Sequence, residues 1–315
     1  INQKIVKKLV TIKGFAMKKL ILPILLGLTF STSFAACVKP GKKEIILLAA
    51  SAYGQLYDKM NDLTNKYCYE FRADDEAVNG PLILNSSAKG LALLQSKTGK
   101  SYANTSVDHN RMDLFSLTLI DGAMMSERVK KETTEAAKKM IAQNYPGVDI
   151  SKINDDLKAN SRKELLDLLA KDYSQVSSPN QDKMRNTALT YAIATNHPQY
   201  IDAALGGLRE KEMFMKLNGM GITPLHVAFS NPLRGKNTDE LSKKLLAVVP
   251  VSYMINNVIW NYDYFQFAEA FKDNNPTFYR MLKDKYKFEV TRPMDAKVKA
   301  EIQKALTIYW EVDDS

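Results

Sequence analysis

Three histidines, two cysteines and a few carboxylate clusters are the groups in this 315-residue chain best equipped for chemistry. His226 stands in Thr223-Pro224-Leu225-His226-Val227-Ala228. A zinc site needs three or four ligands, and a helix supplies two histidines to one ion at i and i+4. No second histidine lies near His226. His197 lies in Asn196-His197-Pro198, where a turn between helices is expected. His109 has Asp108 and Asp113 nearby and is a candidate for a polar site, against the simpler reading of a solvated loop. Asp74-Asp75-Glu76 and Asp155-Asp156 put acids side by side, whereas glycosidase-type chemistry needs two carboxyls held apart across a cleft. Adjacent acids read as solvated clusters. No Gly-rich phosphate loop, G-x-S-x-G, H-E-x-x-H or CxxC occurs. No catalytic residue, metal ligand or cofactor is therefore assigned.

The two cysteines, Cys37 and Cys68, must be read with the segment before them. Lys18 and Lys19, the apolar run Leu20 to Phe30 and the small-x-small Ser33-Phe34-Ala35 form a basic, apolar and cleavable series. That order is expected of a secretory signal over 17–35, cut between Ala35 and Ala36, with 1–16 as an upstream extension. The apolar run is too short to span a bilayer. Export favours a Cys37–Cys68 disulfide, which closes a loop worth about 3–4 kcal/mol. The rival reading is a lipid anchor on Cys37, since Phe34-Ala35-Ala36-Cys37 resembles a bacterial lipobox with Phe34 where an aliphatic is usual. A reactive Cys68 is a third reading, with no histidine nearby to activate it. Of the 44 basic residues, six lysines fall in 1–35, where no acid occurs, leaving 38 basic against 35 acidic residues. So near an even balance is not the footprint of nucleic-acid binding.

The elements that must position these groups read as helices. Residues 43–72 carry Ile45, Leu48, Ala49, Ala52, Leu56, Met60 and Leu63 mostly three or four apart, the period of one helix. A short helix ends at Gly99, an apolar segment covers 107–125, and a charged helix stops at Pro146-Gly147. Residues 161–173 are amphipathic. Strand signals are scarce, so the chain is expected to be all-α.

An internal repeat organises the second half. Thr187, Leu189 and Ala192 fall on Thr223, Leu225 and Ala228 at a spacing of 36 residues, with Asp182 and Asn218 in one place upstream. A third copy aligns Phe267 with Leu189, Ala270 with Ala192 and Asn275-Pro276 with His197-Pro198, 42 residues on by the alanines. Pro224 suits a first helical turn and Thr223 suits its cap. Leu225 and Ala228 then share a face.

With these residues in phase the chain resembles the ankyrin-repeat family, whose unit opens T-P-L-H-x-A. Thr223 to Ala228 match all of it; Thr187, Leu189 and Ala192 keep the Thr, Leu and Ala. Arg185 stands where the family has a glycine, which implies a differently built turn there. Gly221 keeps that glycine. The resemblance covers 180–282, with 107–172 as decayed copies, and does not reach 36–100. It implies a short ankyrin-type helical repeat solenoid over 176–293, a helical N-terminal region over 36–175 and a capping helix in 294–315. In that closing segment Val298, Ile302, Leu306 and Tyr309 would face inward, with Lys297, Lys299, Glu301 and Lys304 in water. It also implies a structural His226 and a non-catalytic, protein-binding role with an unidentified protein partner; the signal segment makes that an exported protein of the bacterial envelope, periplasmic or secreted, and no other apolar run is long enough for a membrane-spanning helix. Contact candidates are Met184, Arg185, Met220 and Ile222 in the turns. Trp260, Tyr262 and Tyr264, in an aromatic run, are candidates against core packing. An enzyme with its site in 36–175 and the repeats as a partner arm is the alternative.

Overall fold

The structure is a computed structural model, and it describes residues 38–69, 88–106, 111–120, 127–152, 155–176, 179–206, 211–229, 238–256 and 260–307. The signal segment, Ala35, Ala36 and Cys37 lie outside these residues, as do Asp108, His109 and the 74–76 acids. The backbone of Asp155 and Asp156 is described but their side chains are not. The described chain is helical, as the absence of strand patterning leads one to expect. Among the described residues no strand forms, and only two isolated bridges occur, Val38 with Tyr67 and Ser106 with Asp113. No helix among them is long and apolar enough to cross a membrane.

The first helical segment is two helices, not one. α1 (Lys42–Tyr53) ends in a turn where Leu56 N–H reaches the Ser51 carbonyl and Gln55 N–H reaches Ala52, and α2 (Tyr57–Lys66) follows. Gln55 adopts a left-handed φ of 53° there. That double bond pattern is the glycine-type helix stop, and it reverses the chain even though the apolar period runs through it. α3 (Ala88–Thr98) then packs on α2 and stops at Gly99, whose φ is 66°.

From α4 (Leu114–Ile120) onward, short and long helices pair. α5 (Glu127–Asn144) packs on α1, and α6 (Asp155–Tyr173) runs antiparallel to α4. Arg162 donates to the Thr118 and Leu119 carbonyls at the end of α4, while Tyr173 OH donates to Asp113 at its start. The next pair is α7 (Ala188–Ala194) with the 3-10 turn Pro198–Tyr200 and α8 (Ile201–Ala204). Then come α9 (Pro224–Val227) and α10 (Asp239–Val248), followed by α11 (Val251–Asn256). The last pair is α12 (Tyr264–Ala270) and α13 (Pro276–Tyr286), closed by α14 (Ala296–Thr307).

Successive pairs stack. α4, α7 and α9 form one row, extended by Tyr264 of α12, whose OH donates to the Leu225 carbonyl. α6, α8, α10 and α13 form the other, tied by Tyr200 OH to Asp167 and Lys244 to Asp202. One continuous core runs from Leu48 to Leu306. In α14, Ile302 and Leu306 are buried while Lys297, Lys299, Glu301 and Lys304 are exposed, so a terminal helix covers the last apolar face.

Candidate functional site

The recurring unit is a turn followed by a capped helix. In the first full copy, Asp182 N–H bonds the Asn186 carbonyl, Arg185 N–H bonds the Asp182 carbonyl, and Asn186 N–H bonds Asp182 Oδ1 at 2.8 Å. In the second, Asn218 N–H bonds the Ile222 carbonyl, Gly221 N–H bonds the Asn218 carbonyl, and Ile222 N–H bonds Asn218 Oδ1 at 3.0 Å. The two turns therefore have the same hydrogen-bond pattern, written once with Asp and once with Asn. Thr187, Thr223 and Asp263 are the cap residues of α7, α9 and α12. Two positions before each cap the backbone is left-handed: Arg185 at 62°, Gly221 at 73° and Asn261 at 67°. Arg111, two before Asp113, which receives the Ser116 N–H at the start of α4, has φ 61°.

This register corrects two readings of the sequence. Arg185 does not impose a different turn; it takes the glycine conformation of Gly221 at the steric cost a side chain carries there. The third copy follows the second by 40 residues, Thr223 to Asp263, not 42. Phe265 and Ala268 thus match Leu225 and Ala228. Ala268 is fully buried and Ala270 is not. The link from first to second helix is residues 195–197 in one copy and 271–275 in the third, so aligning on Asn275-Pro276 shifts the frame by two.

His226 is built into this stack. Its N–H bonds Thr223 Oγ1, and its Nδ1 lies against the same oxygen. Its ring meets Phe267 edge-on at 4.3 Å and Tyr264 at 5.3 Å. Burial pushes its pKa down to about 3, so the ring is neutral at neutral pH. A shallow apolar cleft beside it, lined by Gly221, Ile222, Trp260, Phe267 and Ile302, has room for about one water. Among the described residues no group of three or more His, Cys, Asp or Glu side chains converges as a metal site would require. His197 sits at the start of the Pro198–Tyr200 turn, with Gln199 Nε2 at 3.5 Å from its Nδ1.

Asp113, expected beside His109 either in a polar site or in a solvated loop, is a buried carboxyl. It accepts Ser116 N–H at 2.7 Å and Tyr173 OH at 3.0 Å, and burial raises its pKa to about 6 against those bonds. The signal available in the sequence was its place before the apolar Leu114 to Ile120, the position of a cap.

No protein-family model and no curated protein matches this chain.

Of the seven contact candidates, the structure leaves four at the surface. Met184 is 37% exposed, Arg185 is exposed, Met220 is half-buried and Trp260 is 38% exposed. Met184, Met220 and Trp260 all stand three residues before a cap, so one exposed edge carries them in series. Gly219 N–H to the Met184 carbonyl at 2.7 Å and Asn218 Nδ2 to Asn186 at 3.1 Å hold adjacent turns together. The Trp260 indole lies on Gly221, where an added Cβ would meet the ring at 3.5 Å. Ile222, Tyr262 and Tyr264 are not surface residues. Ile222 is 2% exposed, Tyr262 OH receives the Asp295 N–H, and Tyr264 is fully buried. Each lies one residue from a cap, where the chain turns inward to start its helix.

Proposed function

We propose that the protein is a non-catalytic ankyrin-repeat module that binds another protein along its turn edge. The observation that carries this reading is the repeated turn: a shared hydrogen-bond pattern, a left-handed residue two before each cap, and an apolar side chain three before it. Such turns hold side chains on a fixed backbone, so little conformational entropy is lost when a partner orders them. The α14 cap over the last pair fits a repeat stack, whose terminal units need a polar outer face.

The module works in the bacterial envelope, after removal of 17–35, either periplasmic or secreted. A Cys37–Cys68 disulfide staples its first residues. What supports the staple is the parallel bridge of Val38 with Tyr67 and the Cys68 N–H to Val38 carbonyl bond at 3.0 Å, which set the neighbours of both cysteines side by side. Among the described residues no cysteine is a free thiol.

The test is a cross-linked pull-down from envelope extract with the intact chain and with a Met184→Ser/Trp260→Ser variant. One stoichiometric partner, lost with the variant, is expected. Turnover on a hydrolase panel, abolished by Asp108→Asn or His109→Ala, with no partner recovered, would reverse the reading in favour of an enzyme.

A further inference from the structure

The chemistry of the edge narrows what it binds. Beside Met184, Met220 and Trp260 stands Leu217, which is 50% exposed. Flanking these apolar side chains are Arg111, Lys183, Arg185 and Lys216, all exposed and none of them in an ion pair among the described residues. The carboxylates of the same turns point the other way. Asp113 accepts Ser116 N–H, Asp182 accepts Asn186 N–H and Asp263 accepts Gln266 N–H, so each is committed to its own turn or helix start. Asp295, exposed beside Tyr262, accepts the Lys297 and Val298 N–H groups at the start of α14, and on the second-helix row Asp167 pairs with Lys163 and Asp202 with Lys244. The edge is thus apolar and cationic, with its negative charge turned inward.

Trp260 adds a second feature. It holds a left-handed φ of 52°, and Asn261 beside it is also left-handed. A bulky residue rarely adopts that conformation, and such strain is kept where surrounding structure fixes it. Here it sets the indole across Gly221 with its outer face in solvent. An amphipathic ring in that position is a strong interface anchor.

We propose that this edge takes an acidic segment of the partner protein that also carries apolar side chains. The inference rests on the protein-binding reading above. Unpaired cations raise the capture rate and reject basic segments, and the Met and Trp side chains supply desolvated contact once the segment lands.

Fluorescence anisotropy with the full mature chain tests the chemistry, using three labelled peptides: Glu-rich with spaced Leu and Phe, the same with Lys for Glu, and Glu-rich with Ser for the apolar residues. The first is expected to bind on the order of tenfold tighter than either other, less tightly as salt screens the cations, with a shift in Trp260 emission. Lys183→Glu/Lys216→Glu and Met184→Ser/Met220→Ser should each weaken it by about tenfold. Equal binding of the Glu and Lys peptides, binding of neither, or indifference to both variants overturns the proposal. Photoreactive residues placed in envelope extract at Met220 and, on the back row, at Lys243 separate the two readings. A protein captured at Lys243 alone overturns the edge and keeps the binding module. Capture at neither position overturns both. Capture at Met220 through a net-acidic segment supports both.

Discussion

Two buried ionisable groups of opposite sense should make the stability of this protein nearly flat between pH 7 and pH 5. His226 has a folded pKa of about 3 against 6.5 unfolded. A lowered folded value means that its favourable contribution is present above pH 6.5 and is lost as pH falls, because the unfolded chain takes up the proton first. From pH 7 to pH 5 that loss is about 2 kcal/mol. Asp113 has a folded pKa of about 6 against 3.8. A raised folded value has the reverse effect: its contribution is full below pH 3.8 and is lost as pH rises through 6. Moving from pH 7 to pH 5 therefore returns about 1 kcal/mol. The two therefore largely offset each other in the intact protein. Asp113→Asn keeps a capping side chain and removes the titration, so it should expose the histidine and lose about 2 kcal/mol over that range. His226→Gln should show the opposite slope and gain about 1 kcal/mol on acidification. Urea unfolding followed by circular dichroism at each pH, with unchanged m-values, reads these differences directly. An Asp113→Asn variant as flat as the parent would refute the buried neutral histidine and, with it, the stacking of Thr223, Tyr264 and Phe267 around the ring.

Arg162→Ala strips the Thr118 and Leu119 carbonyls of a charged donor and should cost about 1.5–3 kcal/mol, read as a lower thermal midpoint. Arg185→Gly relieves a left-handed side chain and should stabilise by about 1 kcal/mol, while Gly221→Ala, strained at φ 73°, should cost about as much; the same melts distinguish them. Intact mass spectrometry of the exported protein should show an N-terminus at Ala36 and a mass that rises by about two daltons on reduction, as one disulfide requires. An acylated Cys37 would replace that result.

Local chemistry made much of the fold legible. A cap residue, a proline in the first turn and an apolar stripe act within a few residues of chain, so Thr223-Pro224-Leu225-His226 announces its helix wherever it occurs. The same applies to Gly99, to Pro146-Gly147 and to Ile302 and Leu306 of α14, with Val298 half-buried beside them and Tyr309 outside the described residues. The phase between Thr187 and Thr223 was also readable, because the turn and helix start of the two copies, 182–192 and 218–228, align without gaps. The third was not: two additional residues between its helices leave the pattern intact on each side and hide the shift, which only the cap at Asp263 and the left-handed Asn261 reveal.

Other features belong to tertiary structure alone. The break between α1 and α2 interrupts no apolar period, since a reversal of chain direction depends on what each half then packs against. Asp113 gains its buried setting from Tyr173, sixty residues away. Whether an aromatic faces water cannot be read from its neighbours in sequence. Trp260, Tyr262 and Tyr264 lie within five positions, yet Trp260 is exposed at a turn tip, Tyr262 is covered beside Asp295, and Tyr264 is sealed under α9. Helical character and the phase of the first two copies are legible along the chain, because their hydrogen bonds close over short spans. Which side chains that phase leaves in solvent was decided by the stacking of one turn on the next, through contacts between residues that are distant along the chain.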